Sequence, residues 1–164
     1  MCTSAELRTV GYADPVAQLL IERVQQEYVL RYGGRDAAVV DPAEFSPPLG
    51  LFLVAEADGL PAGCGGWRTH GSGVAELKRM YVDPPFRRRG IAALLLTELE
   101  RTAAAAGHRR VLLNSGDRQP EALALYARAG YTPVAGYGVY ADAPGAVFLG
   151  KDLPAELEED AWAS

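Results

Sequence analysis

Residues 75–106, AELKRMYVDPPFRRRGIAALLLTELERTAAAA, constrain this chain more than any other stretch, because they read as strand, Pro-marked turn, arginine-glycine loop and long helix in direct succession. In the strand half, residues 74–82, Leu77 and Met80 are three apart and Met80 and Val82 two apart, so strict alternation cannot bury all three. One extra residue bulging out near Lys78 or Arg79 restores a common face, and it leaves backbone N–H and C=O groups free for a ligand. The helix half starts near Gly90. Ile91, Leu95, Leu99 and Ala103 recur every four positions as one amphipathic face, and Gly107 supplies the C-terminal cap. No Ser, Thr, Asp or Asn stands just before Gly90, and the first carboxylate after it is Glu98. The first turn is therefore neither capped nor charge-compensated, and its free N–H groups suit an external anion approached closely at Gly90.

The remainder of the chain must supply a core for this unit. At 164 residues it is long enough to bury roughly 70% of its unfolded surface without staples. A net charge of −5 disfavours generic nucleic-acid binding. Cys2 and Cys64 give neither a disulfide framework nor metal-ligand spacing, and both are expected as reduced thiols in a cytoplasmic protein. His70 and His108 lie far apart, where a satisfied surface role is expected and no metal site. No apolar run approaches ~18 residues and no signal peptide is recognisable, so no membrane association is expected.

In chain order, residues 7–10 are a strand candidate. Asp14-Pro15 caps a helix that reaches Tyr32 and stops at Gly33-Gly34, with Leu20, Val24 and Tyr28 as its core stripe. Residues 35–50 contain three prolines and read as a loop with a short helical turn at 43–45; long loops are often functional, and this one is a candidate wall of an acceptor site. Residues 51–57 and 62–69 are strands joined by the hairpin signal Asp58-Gly59. After the long helix come a buried strand at 110–114, a Pro120-opened helix at 121–129, and strands at 131–134 and 146–153. Residues 1–154 are expected to form one domain, and residues 155–164 an acidic C-terminal tail. Hairpins followed by alternating strands and helices imply a mixed α/β sheet with helices on both faces; a doubly wound dinucleotide fold fits less well, because no GxGxxG occurs.

Arg87-Arg88-Arg89-Gly90-Ile91-Ala92 matches the (Arg/Gln)-x-x-Gly-x-(Gly/Ala) loop of the GNAT-family N-acetyltransferases. The neighbouring segments AELKRMYV, Asn114, Leu125-Tyr126 and Ala129-Gly130-Tyr131 resemble that family too. The resemblance implies an α/β (α+β) fold: a mixed, mostly antiparallel central sheet of about seven strands, with the central strand bulged near 78–80. It also implies acetyl transfer from acetyl-CoA to an amine by direct attack on the thioester. Gly90, Ile91 and Ala92, with Arg87 and Arg88 or Arg89, would hold the pyrophosphate; without the uncapped helix the three arginines would read as a solvated or RNA-contacting patch. Pantetheine would lie along Met80, Tyr81 and Val82, with Asn114 bonding it or a bridging water, although Asn at a strand end also serves as a turn former. A backbone N–H near Met80 would steady the oxyanion.

By the same resemblance Glu76, 14 residues before Gly90, is the candidate base. The competing reading is a surface glutamate paired with Lys78 or Arg79. Tyr126 is the candidate acid, its phenol protonated at neutral pH, against a simple core tyrosine. Tyr28, Tyr32, Asp36, Tyr137 and Tyr140 are candidate acceptor contacts, with Asp41, Glu44, Arg31 and Arg35 nearby. Carboxylates suit a cationic amine and arginines an amino acid's carboxylate, and the sequence does not choose. The expected acceptor is a small-molecule amine, with protein or peptide acetylation and a non-catalytic acyl-CoA sensor as alternatives. Homodimerisation is a tendency of the family.

Overall fold

Strands β1 (Glu6–Val10), β2 (Gly50–Ala57), β3 (Leu60–Gly71), β4 (Val74–Val82), β5 (Arg110–Gly116), β6 (Thr132–Pro133) and β7 (Ala146–Asp152) form a single sheet in the computed structural model, which describes residues 5–154. The expected acidic tail, Trp162 and Cys2 lie outside the described residues. Strand order is β1-β2-β3-β4-β5-β7-β6, and only the β4–β5 pair is parallel. The mixed, mostly antiparallel sheet expected from the sequence is thus observed.

Local chemistry explains the elements. Asp58 and Gly59 both have positive φ (55° and 74°), as a primed hairpin turn requires between β2 and β3. Helix α1 (Pro15–Tyr32) is capped by the Asp14 carboxylate, which accepts from the Val16 and Ala17 N–H groups at 3.0 and 3.2 Å, and ends at left-handed Gly33. Helix α2 (Ile91–Ala105) buries its expected stripe, and Gly107 follows it with φ 96°. Helix α3 (Pro120–Arg128) completes the set. Leu20 and Val24 of α1 pack with Phe52, Val54 and Tyr81 on one face of the sheet. On the other face Ile91, Leu95 and Leu99 of α2 and Tyr126 of α3 pack with Leu53, Trp67, Leu77 and Leu113.

The expected bulge is present. Cys64 pairs with Tyr81 and Gly66 with Lys78, so Arg79 and Met80 both stand opposite Gly65, and Arg79 takes φ 64°. Leu77, Met80 and Val82 consequently share the α2 face. A second feature was not foreseen: the β4–β5 ladder stops at Glu76 and Leu112 although both strands continue. Beyond that point the strands diverge and open a cleft in the middle of the sheet.

Two sequence expectations are corrected. β5 continues two residues past Asn114 to Gly116, because Ser115 and Gly116 still pair with β7. His108 is not a satisfied surface residue: its ring packs edge-on against Trp67, its Nδ1 is buried without a hydrogen bond, and burial lowers its pKa.

Candidate active site

Two cavities occupy the cleft. One, of about 590 Å³, is lined by Tyr81, Val82, Phe86, Arg87, Arg88, Gly90, Ile91 and Ala92 together with residues of α1 and α3. The other, of about 470 Å³, lies against Lys78, Arg79, residues 113–119, Tyr28, Tyr32, Asp36 and Tyr140. They have Met80, Gln119, Ala122 and Tyr126 in common. The open β5-facing edge of β4 thus runs from one cavity into the other.

The larger cavity ends at the start of α2. Gly90 adopts φ 78° and no side chain caps the helix, so the N–H groups of the first turn face the cavity without an intrahelical acceptor. Arg88, itself at φ 67°, lines this wall and makes no ion pair among the described residues. Arg87 is held by the Val82 carbonyl and by Glu27, at 2.8 and 2.6 Å. Arg89 lies outside the lining, paired with Asp58 at 3.0 Å and stacked on Phe86. Of the two arginines left open as alternatives, Arg88 is the one at the cavity.

At the junction Tyr126 is buried against Tyr131, ring centroids 5.6 Å apart, and burial raises its pKa. Its hydroxyl has no hydrogen-bond partner among the described residues. Asn114 lies on β5 beside it and lines the smaller cavity while pairing in register with Phe148.

Glu76 stands apart from both cavities. Its side chain is 8% exposed and accepts from Arg68 Nε at 3.0 Å, and Arg68 also holds Glu44 and the Val39 carbonyl. The glutamate is therefore buried rather than superficial, and its partner is neither Lys78 nor Arg79. Those two cations instead share Asp36. Lys78 Nζ donates to Asp36 Oδ2 at 3.0 Å, and Arg79 donates to the same oxygen. Oδ1 accepts from the Ala38 N–H at 2.9 Å and the Tyr140 hydroxyl at 3.1 Å. Burial opposes the charge on Asp36, but Lys78, the Ala38 N–H and Arg79 outweigh it and hold the carboxyl at about 2.

The remaining acceptor candidates separate. Tyr28 and Tyr32 line the smaller cavity, the latter donating to Gln119 Oε1 at 3.2 Å. A Cβ on Gly116 would fall 2.1 Å from the Tyr32 hydroxyl, so only glycine permits this approach. Tyr137 is corrected: its extended backbone turns the ring inward onto His70 and Phe148, outside both cavities. Its hydroxyl is buried near Glu76 but outside hydrogen-bonding geometry; burial, then the carboxylate, raises its pKa. Asp41 and Glu44 form a capping box on the short helical turn Pro42–Phe45, and Arg35 pairs with Glu22 at the surface.

Sequence reasoning missed Lys78 and Arg79 as cavity residues. The signal was present: a bulge at this point sets two consecutive basic residues on one face.

Residues 17–131 match the model of the acetyltransferase (GNAT) family. The IAA acetyltransferase of Azospirillum brasilense is 34% identical over 142 residues, covering 85% of this chain and 92% of that protein. The chain belongs to the GNAT acetyltransferase family. A crystal structure from Klebsiella pneumoniae, assigned as an acyl-CoA N-acyltransferase, superposes on this GNAT chain with TM-score 0.77 at 27% identity, covering 92% of this chain and 99% of that one. The PaiA N-acetyltransferase of Thermoplasma acidophilum, solved in complex with coenzyme A, has the same fold at 20% identity, with TM-score 0.68 and coverage of 91% and 99%. Membership makes this GNAT chain an acetyltransferase. Among its described residues no helix is long and apolar enough to cross a membrane.

Proposed function

We propose that this acetyltransferase transfers an acetyl group from acetyl-CoA to the primary amine of a small molecule, by direct attack of the amine on the thioester. The observation that carries the proposal is the meeting of two cavities at Met80 and Tyr126, one ending in an anion-binding helix terminus and one walled by polar side chains. A coenzyme bearing phosphates fits the larger one, because the uncapped N–H groups at Gly90, Ile91 and Ala92 and the positive end of the α2 dipole lack an internal anion. Arg88 adds a charge there, and Arg87 is preset by Glu27.

Acetyl-CoA supplies an activated acyl thioester. Tyr126 stays protonated, since burial raises its pKa, and is placed to donate to the departing thiolate. The β4 edge from Met80 to Val82 offers backbone groups to pantetheine, and Asn114 adds a side-chain partner at the junction. Glu76, paired with Arg68 away from both cavities, has a structural role in this reading.

A small acceptor is supported by the contacts that order the wall of the second cavity. Tyr140 clamps residues 36–38 by accepting the Ala37 N–H at 2.6 Å and donating to Asp36. Arg31, which lines the larger cavity, donates to the Arg118 carbonyl at 2.7 Å, and Arg118, which lines the smaller one, donates to the Arg31 carbonyl at 2.9 Å. A protein lysine requires a more open groove. Thiol release from acetyl-CoA, measured against amino acids, polyamines, aminoglycosides and short peptides, tests the proposal. Turnover with a small amine is expected, and turnover confined to the peptides would contradict it.

A further inference from the structure

Two cations and one anion lie together on the wall of the smaller cavity. Side-chain exposure is 9% for Lys78, 4% for Arg79 and 11% for Asp36. Buried charges are tolerated when paired, and here the pairing is one short. Asp36 has no capacity left, because its four acceptor positions are filled by Lys78, Arg79, Ala38 and Tyr140. It cannot receive a substrate ammonium. The cations retain donors: Lys78 uses one on Asp36, and Arg79 uses one each on Asp36 and the Tyr12 hydroxyl. Asp117 and Arg118, which also line the cavity, are exposed and of opposite sign, so the imbalance belongs to the buried group.

Resting on the assignment of this cavity to the acceptor, we propose that the acceptor amine carries a carboxylate and that Lys78 and Arg79 bind it. One surplus positive charge calls for a monoanion, and an ammonium beside a guanidinium matches the two oxygens of a carboxylate. A phosphate monoester, close to a dianion, overshoots that balance. The unusual backbone supports a recognition role. Arg79 holds φ 64° within a strand, a conformation that is costly for a non-glycine residue and that sends its side chain toward the same carboxylate as its neighbour Lys78. Asp36 is then the holder that keeps both cations aimed, and the acceptor's amine lies toward Met80 and Tyr126.

The test compares kcat/KM for the common amino acids and a set of dipeptides with those for their C-terminal amides, in wild type, Lys78→Met and Lys78→Arg. Lys78→Met leaves Asp36 and Arg79 as a one-to-one pair, so the fold is retained, as thermal melting and calorimetric binding of acetyl-CoA will check. Free acids are expected to exceed amides by about 10- to 100-fold in wild type, the span of a charge-assisted hydrogen bond. Lys78→Met removes that preference, Lys78→Arg keeps it, and KM for acetyl-CoA is unchanged in both. Amides acetylated as well as acids, or a preference that survives Lys78→Met, overturns the carboxylate site while leaving the acetyltransferase assignment standing. Acetyl-CoA binding without turnover in either series overturns the carboxylate site, and only failure with polyamines and aminoglycosides as well would overturn the proposed function.

Discussion

Tyr126 is one of the four residues that line both cavities, and its hydroxyl is the proposed proton donor at their junction. Tyr126→Phe keeps the ring against Tyr131 and removes only that donor, so kcat should fall about 10²-fold with KM for acetyl-CoA little changed; wild-type turnover would remove the tyrosine from the reaction. Glu76 is a contrasting case. Paired with half-buried Arg68 and away from both cavities, it should tolerate Glu76→Gln with kcat and the pH-rate profile almost unchanged, while the urea midpoint falls. Loss of a basic limb from the profile would instead make it the base. Asp36 ties pH to stability. Its folded pKa of about 2 lies below the ordinary 3.8, so its contribution is complete above 3.8 and is lost as pH falls through about 2. Asp36→Asn should destabilise by about 3 kcal/mol, by leaving two buried cations unpaired, and should flatten the fall in urea midpoint over that acid range. An unchanged slope would place the acid sensitivity elsewhere.

At the scale of elements, the β4 to α2 unit was legible because its signals are local. The spacing of Leu77, Met80 and Val82 demands a bulge, and the absence of a capping side chain before Ile91 is a property of consecutive residues. Gly90→Val tests the second point. The position is open, with nothing within 4 Å of a built Cβ, so the cost is conformational at φ 78°. KM for acetyl-CoA should rise about 5- to 30-fold with kcat nearly preserved, since about 1–2 kcal/mol of left-handed strain disturbs the anion seat and not the junction. A rise in neither constant would separate Gly90 from donor binding. The divergence of β4 from β5 was not legible, because the end of a parallel ladder is set by contacts between segments far apart in the chain. Nor was the Asp36 cluster, whose members meet across 42 and 43 residues of chain. Sequence neighbours of Glu76 suggested Lys78 or Arg79 as its partner, yet alternation and the bulge turn them to Asp36 and leave Arg68, across the β3–β4 ladder, for the glutamate.

For the whole molecule, the sheet acts as a partition with one opening. In the proposed reading α2 supplies the donor end of that opening, α1 with residues 36–38 supplies the acceptor end, and Met80 and Tyr126 lie where the two cavities meet. Such a layout can hold both substrates at once, and neither cavity is lined by a cysteine among the described residues. Cys64 is buried in the core under the Arg79 carbonyl, and burial raises its thiol pKa. The proposed direct attack of the amine on the thioester requires a ternary complex. The most direct test is initial velocity with both acetyl-CoA and an accepted amine varied. Double-reciprocal lines that intersect are predicted, and parallel lines, the mark of acyl transfer through the enzyme, would contradict the two-cavity account.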